Sequence, residues 1–148
     1  MRPKSPRLAV RAVIVQDAQL LLVNAWPDKR FDLLCAPGGG VEVHSSLPEN
    51  LIREVHEETG LRIEVGEVCL INEFHDPNGA FHQVDIYFRA TIAEGTLDHD
   101  WKDPEGIVTE RRWVTQDQLA QLNVKPDSLA EVAFGSGITY DPLEPILS

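Results

Sequence analysis

Within "REVHEETG", residues 53–60, Arg53, Glu54, Glu57 and Glu58 fall inside two helical turns, and the run stops at Gly60. At roughly 100° per residue the three carboxylates lie within about 100° of one another. On an exposed helix each such like-charge pair costs about 0.2–0.5 kcal/mol. These three also border an apolar stripe, where partial shielding from water makes the repulsion larger. The preceding "PGGG", residues 37–40, provides backbone that approaches closely and presents bare carbonyl oxygens. Carboxylate and carbonyl oxygens converging on one point are what Mg²⁺ or Mn²⁺ binds, and such an ion would remove the repulsion. The plainer alternative is a solvated acidic face, the common fate of charge on a helix.

The element that must position these groups has well-marked ends. Ser46 and Glu49 stand at the S-x-x-E spacing of a capping box, and Pro48 occupies the first turn. Gly60 suits the left-handed position that closes a helix. The spacing predicts a helix from about Leu47 to Thr59, with Leu47, Leu51, Ile52 and Val55 forming the stripe that meets the core. Glu49 and Arg53 form an i, i+4 pair, and Arg53 also reaches Glu57.

Around this helix the sequence reads mostly as strands. "LAVRAVIVQD" (8–17) and "AQLLLVNAW" (18–26) form a pair joined by a turn at Gln16-Asp17, and "FDLLCAPGGG" (31–40) is a short strand running into glycines. "LRIEVGEVCLINEFH" and "FHQVDIYFRATI" are long strands separated by the turn "DPNGA". "GIVTERRWVT" is a further strand, Thr115 caps a short helix in "TQDQLAQL", and the tail holds one more short helix before turning irregular. Such an order indicates an α/β domain in which a mixed sheet is sandwiched between helices.

The 148 residues, 43% hydrophobic, fit a single domain over 1–148 with its core at about 8–135. A formal net charge of −11 argues against a nucleic-acid partner but leaves room for a small phosphorylated ligand met through a divalent cation. No apolar run approaches the roughly 18 residues of a membrane helix, and "MRPKSPRLAV" lacks the apolar stretch of a secretion signal. With Cys35 and Cys69 read as buried free thiols, these features point to a cytoplasmic protein without a membrane partner.

The helix and its flanks resemble the signature of the Nudix (MutT-like) hydrolases, G-x5-E-x7-R-E-U-x-E-E-x-G-U, where U is a bulky aliphatic residue. Gly39 fits its first position, and Arg53, Glu54, Val55, Glu57, Glu58, Gly60 and Leu61 fit its second half. "RRWVTQDQL" resembles the strand and short helix that close many such domains. The first glutamate is replaced by Ser45, and the glycine before it by His44. In the family that glutamate mostly supports the site, whereas the second half supplies most metal ligands.

The resemblance implies a Nudix fold and hydrolysis of a nucleoside diphosphate linked to another moiety, assisted by Mg²⁺ or Mn²⁺. Carried over, Glu57 and Glu58 with the Gly38 carbonyl are metal ligands. Glu54 binds a second metal or acts as general base, and Arg53 orients the glutamates. Many members add a carboxylate from a later loop. In "HDWKDPEGIVTERRW" the first choice is Glu105 and the second Glu110. The resemblance leaves one other class open, a catalytically impaired domain that senses a ligand or binds a protein.

Substrate contacts lie outside that signature. Arg11, Lys29 and Arg30 are phosphate-binding candidates in an acidic chain, and Phe74 is the aromatic candidate for stacking on a base. His75 and His82 flank the "DPNGA" turn, as a metal pair or as exposed turn residues. A helix pair or sheet edge could support a homodimer.

Overall fold

The computed structural model describes residues 5–27 and 32–146. Alternation along the first strand, β1 (Arg7–Gln16), organises everything else. It sends Val10, Ala12 and Ile14 to one face and Ala9, Arg11 and Val13 to the other, so that a core forms on each side.

After β1 follow β2 (Gln19–Asn24), β3 (Leu34–Cys35), β4 (Gly38–Gly40), α1 (Leu47–Thr59), β5 (Arg62–His75), β6 (His82–Glu94), β7 (Arg111–Thr115), α2 (Gln116–Leu119), α3 (Leu129–Ala133), β8 (Thr139–Tyr140) and β9 (Glu144–Pro145). β1 runs parallel to β6, which returns antiparallel to β5. The other edge of β1 is divided: Ala9–Arg11 pairs with β4, and Val15 and Gln16 begin the hairpin to β2. β2 continues against β3 and β7, giving a mixed sheet of order β3-β2-β1-β6-β5-β8.

Helices cover both faces, as the order of elements predicts. Leu51 and Val55 of α1 pack on Val10, Ala12, Ile14 and Phe88. Each of these two buried side chains contributes about 1.5–3 kcal/mol. Leu119 of α2 and Leu129, Val132 and Ala133 of α3 pack on the opposite side against Val13, Leu20, Leu22 and Tyr87. Among the described residues no helix is long and apolar enough to cross a membrane, and Cys35 and Cys69 are both free.

α1 starts and stops where its caps predict: the Ser46–Glu49 capping box forms, and Gly60 ends the helix at φ 78°. Ile52 departs from expectation. It is exposed rather than part of the buried stripe, and the polar Asn50 and the carboxylate-bearing Glu54 are buried in its place. The short strand read over 31–40 divides into β3 and the triglycine strand β4, which forms because β1 offers it an open edge at Ala9–Arg11. The strand read at 106–115 shrinks to Arg111–Thr115, and the tail adds two short strands, β8 and β9, on the edge of β5.

Candidate active site

The triglycine strand is the floor on which the α1 carboxylates rest. Glu58 Oε1 accepts a hydrogen bond from the Gly38 amide at 2.9 Å. Glu54 lies against Gly39, where an added Cβ would sit 2.5 Å from its Oε2, so a side chain there would displace the carboxylate. Glu54 is 8% exposed, and Glu57 and Glu58 are half-buried.

Arg53 ties this group together. Its Nη1 stands 3.1 Å from Glu54 Oε1 and 3.5 Å from Glu57 Oε1, while Nη2 donates to Asn50 Oδ1 at 3.0 Å. Glu42 adds a longer contact at 3.8 Å. Asn50, 1% exposed, also donates to the carbonyls of Ser45 and Ser46 and accepts from the amide of Glu42. The loop bearing Ser45 is thus held by Asn50, which passes the constraint to Arg53. No simple residue pattern announces this role for Asn50.

A second loop closes over the C-terminal end of α1. Trp101 Nε1 donates to the Glu57 carbonyl at 2.8 Å, and Arg111 Nε to the Glu58 carbonyl at 2.6 Å. Both satisfy carbonyls that a helix end leaves without intrahelical donors. The Trp101 ring covers Gly60, where a Cβ would meet it at 2.8 Å, and meets His56 edge-on. Asp103 shapes the segment that follows by accepting from the amides of Glu105 and Val108, at 3.0 and 2.9 Å. Buried Asn24 pins Thr109 and Glu110 through their amides.

These anchors bring Glu105 close enough to Glu54 to act on its charge. Burial raises the Glu54 carboxyl above its ordinary value. Glu57 and Glu105 add to the rise, and Arg53 opposes it. Burial pushes the Glu58 carboxyl up to about 8, against the pull of Arg11 and of the Gly38 amide; Glu54 and Asp103 push it further. Glu110 instead lies exposed just before β7, 3.8 Å from Arg112.

Of the residues singled out in the sequence, Gly38, Arg53, Glu54, Glu57, Glu58 and Glu105 are gathered here. Arg11 reaches Glu58 only electrostatically, because its guanidinium is committed elsewhere. It contacts Asp85 at 3.2 Å, the Ala36 carbonyl at 3.0 Å and Cys35 Sγ at 3.7 Å. Phe74 is not gathered; it packs on Phe81 near the hairpin end of β5 and β6, with ring centres 5.8 Å apart. Lys29 and Arg30 lie outside the described residues.

The donor set fits a hard divalent cation. Its oxygens are anionic, crowded and partly desolvated, and an ion among them would relieve both the repulsion and the burial cost. As the side chains lie, no three His, Cys, Asp or Glu among the described residues converge on one ion position. Glu58 is turned to the Gly38 amide and Glu54 to Arg53, so chelation would exchange these internal partners for the ion.

Comparison with known proteins identifies the family. The family model described as NUDIX domain matches residues 5–133. The ADP-ribose pyrophosphatase of Methanocaldococcus jannaschii is 29% identical over 92 residues, covering 62% of this chain and 54% of that protein. Human diphosphoinositol polyphosphate phosphohydrolase 2 is 31% identical over 100 residues, covering 66% of this chain and 50% of that one. The chain spans about half to three fifths of the length of such curated relatives. Among solved structures, a NUDIX hydrolase from Nitrosomonas europaea superposes with a TM-score of 0.72 at 25% identity, covering 86% of each chain.

Proposed function

The chain belongs to the NUDIX domain family, and from that premise we propose that it is a metal-dependent pyrophosphohydrolase. Its substrate class is a nucleoside diphosphate linked to another moiety, and one domain over 1–148 carries the activity. The observation behind this reading is the crowding of Glu54, Glu57 and Glu58 at the triglycine strand, within electrostatic reach of Glu105, with burial holding Glu58 up to about 8.

Glu57 and Glu58, with Glu54 and the Gly38 carbonyl, would hold Mg²⁺ or Mn²⁺. Held there, such an ion would supply charge neutralisation for phosphate oxygens and a more acidic water. The protein's own groups do the rest. Arg53 holds Glu54 and Glu57 in fixed orientation through contacts of 3.1 and 3.5 Å. Glu54, partly shielded and raised above its ordinary value, is suited to take the proton of the attacking water, and Glu105, whose charge reaches Glu54 from an exposed loop, is the second base. As the water oxygen bonds to one phosphorus of the diphosphate, the bridging P–O bond breaks and the leaving phosphate departs with the electron pair. Trp101 and Arg111 keep the Glu105 loop seated on the end of α1 throughout.

ADP-ribose is a sensible first substrate to try, since ADP-ribose pyrophosphatases are among the similar proteins. The test is phosphate release, coupled through a phosphatase, from nucleoside triphosphates, ADP-ribose, nucleotide sugars and dinucleoside polyphosphates. Each is run with Mg²⁺ or Mn²⁺ and with a Glu57→Gln control. Metal-dependent turnover that vanishes in the control supports the reading. Silence across the panel turns it toward a ligand-sensing or protein-interaction domain.

A further inference from the structure

The hairpin end of the sheet carries two imidazoles that hydrolysis does not use. His75, the last residue of β5, and His82, the first of β6, are register partners, so their side chains rise side by side from one face. Their ring centres lie 5.9 Å apart with the planes inclined at 51°. Both rings are half-buried on the strands rather than exposed in the turn. His82 Nε2 is shut away from solvent and, among the described residues, has no hydrogen-bond partner. Such a nitrogen is costly to leave unmatched and calls for a water or an ion.

A cavity of about 320 Å³ opens at the pair, walled by Pro6, Phe81 and Asp76 among others. The Asp76 carboxylate is engaged in the turn, accepting from the Asn78 amide at 2.9 Å, so the pair offers nitrogen donors without a third anionic one. With metal–nitrogen bonds of about 2.0–2.1 Å, two imidazoles sharing one ion have ring centres about 5.2 Å apart at a tetrahedral angle and about 6.4 Å apart when trans, so the pair as it stands would meet an ion at an angle between the two. Imidazole pairs suit Zn²⁺, Ni²⁺ and Cu²⁺, whereas Mg²⁺ keeps to oxygen. We propose that His75 and His82 form a second metal site, a two-nitrogen clamp for a divalent transition ion that staples the open end of the β5–β6 hairpin. Water completes the coordination from the cavity, which makes this a weak, exchangeable site.

The test titrates Ni²⁺ calorimetrically into untagged protein saturated with Mg²⁺. One equivalent should bind, and melting temperature should rise with Ni²⁺. His75→Phe, which keeps a ring against His82 while removing the nitrogens, should weaken binding at least tenfold and abolish the thermal shift. His82→Ala should do the same, and His99→Ala should change neither. Cu²⁺ bound to the unmutated protein should show electron paramagnetic hyperfine coupling to two imidazole nitrogens. Coupling to one nitrogen or none, or Ni²⁺ binding indifferent to His75→Phe, would overturn the clamp and leave His82 Nε2 to an ordinary bound water.

Discussion

Two regions of this molecule bury charge, and they do so in opposite ways. On one face of the sheet, Arg7 Nη1 donates to Gln83 Oε1 at 2.8 Å, Gln83 Nε2 to Asp85 Oδ1 at 2.6 Å, and Arg11 Nε to Asp85 Oδ2 at 3.2 Å. Gln83 and Asp85 are each 3% exposed. Every buried charge in that ladder meets an opposite charge or a donor of its own chain. At the triglycine strand, by contrast, Glu54, Glu57 and Glu58 crowd together with one guanidinium, Arg53, in contact with them, while Arg11 acts on Glu58 from the ladder and Glu105 acts on Glu54 from an exposed loop. The ladder is satisfied from within and belongs to the fold. The carboxylate group is left with surplus negative charge, as expected of a site completed by a cation from outside.

That contrast can be broken by substitution. The largest effect expected is Glu57→Gln, which should lower kcat by about 10²–10⁴-fold in the coupled phosphate assay while the circular dichroism spectrum stays unchanged. A variant of near-normal activity would remove Glu57 from the site. Next in size is Asp85→Asn in the ladder, which leaves Arg11 without its anion and should cost roughly 3 kcal/mol in urea unfolding. Should Asp85→Asn prove neutral in stability while raising KM alone, the ladder would be a substrate site rather than a structural one.

A smaller effect sharpens the link between loop and helix. Trp101→Leu removes the hydrogen bond to the Glu57 carbonyl and the ring over Gly60, so it should cost about 1–2 kcal/mol. Activity should fall with it, because Glu105 loses its seat opposite Glu54. Stability lost with kcat intact would separate Glu105 from the chemistry.

A further effect is one of pH. Glu58 is raised in the folded protein to about 8 from an ordinary 4.5. Below pH 4.5 folded and unfolded chains both hold that proton, and no cost arises. Between 4.5 and 8 the folded chain keeps a proton that the unfolded chain releases, so Glu58 makes metal-free stability decline as pH rises and level off above 8. Metal affinity should run the other way, strengthening up to about pH 8 as the ion displaces that proton. Calorimetry in two buffers of different ionisation enthalpy would count the proton released.

How far these features were legible from the chain varies with the kind of signal. α1 was legible to the residue because Ser46, Glu49 and Gly60 act locally. The crowding of Glu54, Glu57 and Glu58 was legible because helical periodicity fixes it. The triglycine strand was not, since glycine's own preference argues against strand and only the open edge of β1 supplies the pairing. Nor were Trp101 and Arg111, whose contacts with α1 span 44 and 53 residues. Arg11 read as a free cation because Asp85, 74 residues on, cannot be paired with it from spacing alone. Ile52 shows the same limit, because α1 is turned to bury Glu54 and Asn50 beside the glycines rather than its full aliphatic complement.

The most direct test of the central claim, that the α1 carboxylates are held in mutual tension awaiting a cation, is the melting temperature of Glu58→Gln beside the unmutated protein at pH 8.5. Each is measured with chelator and then with Mg²⁺. Glutamine keeps an oxygen for the Gly38 amide and removes the charge. The account predicts that the variant melts higher than the parent in chelator, and that Mg²⁺ raises the parent but barely moves the variant. A variant that melts lower in chelator and gains as much from Mg²⁺ as the parent would contradict it.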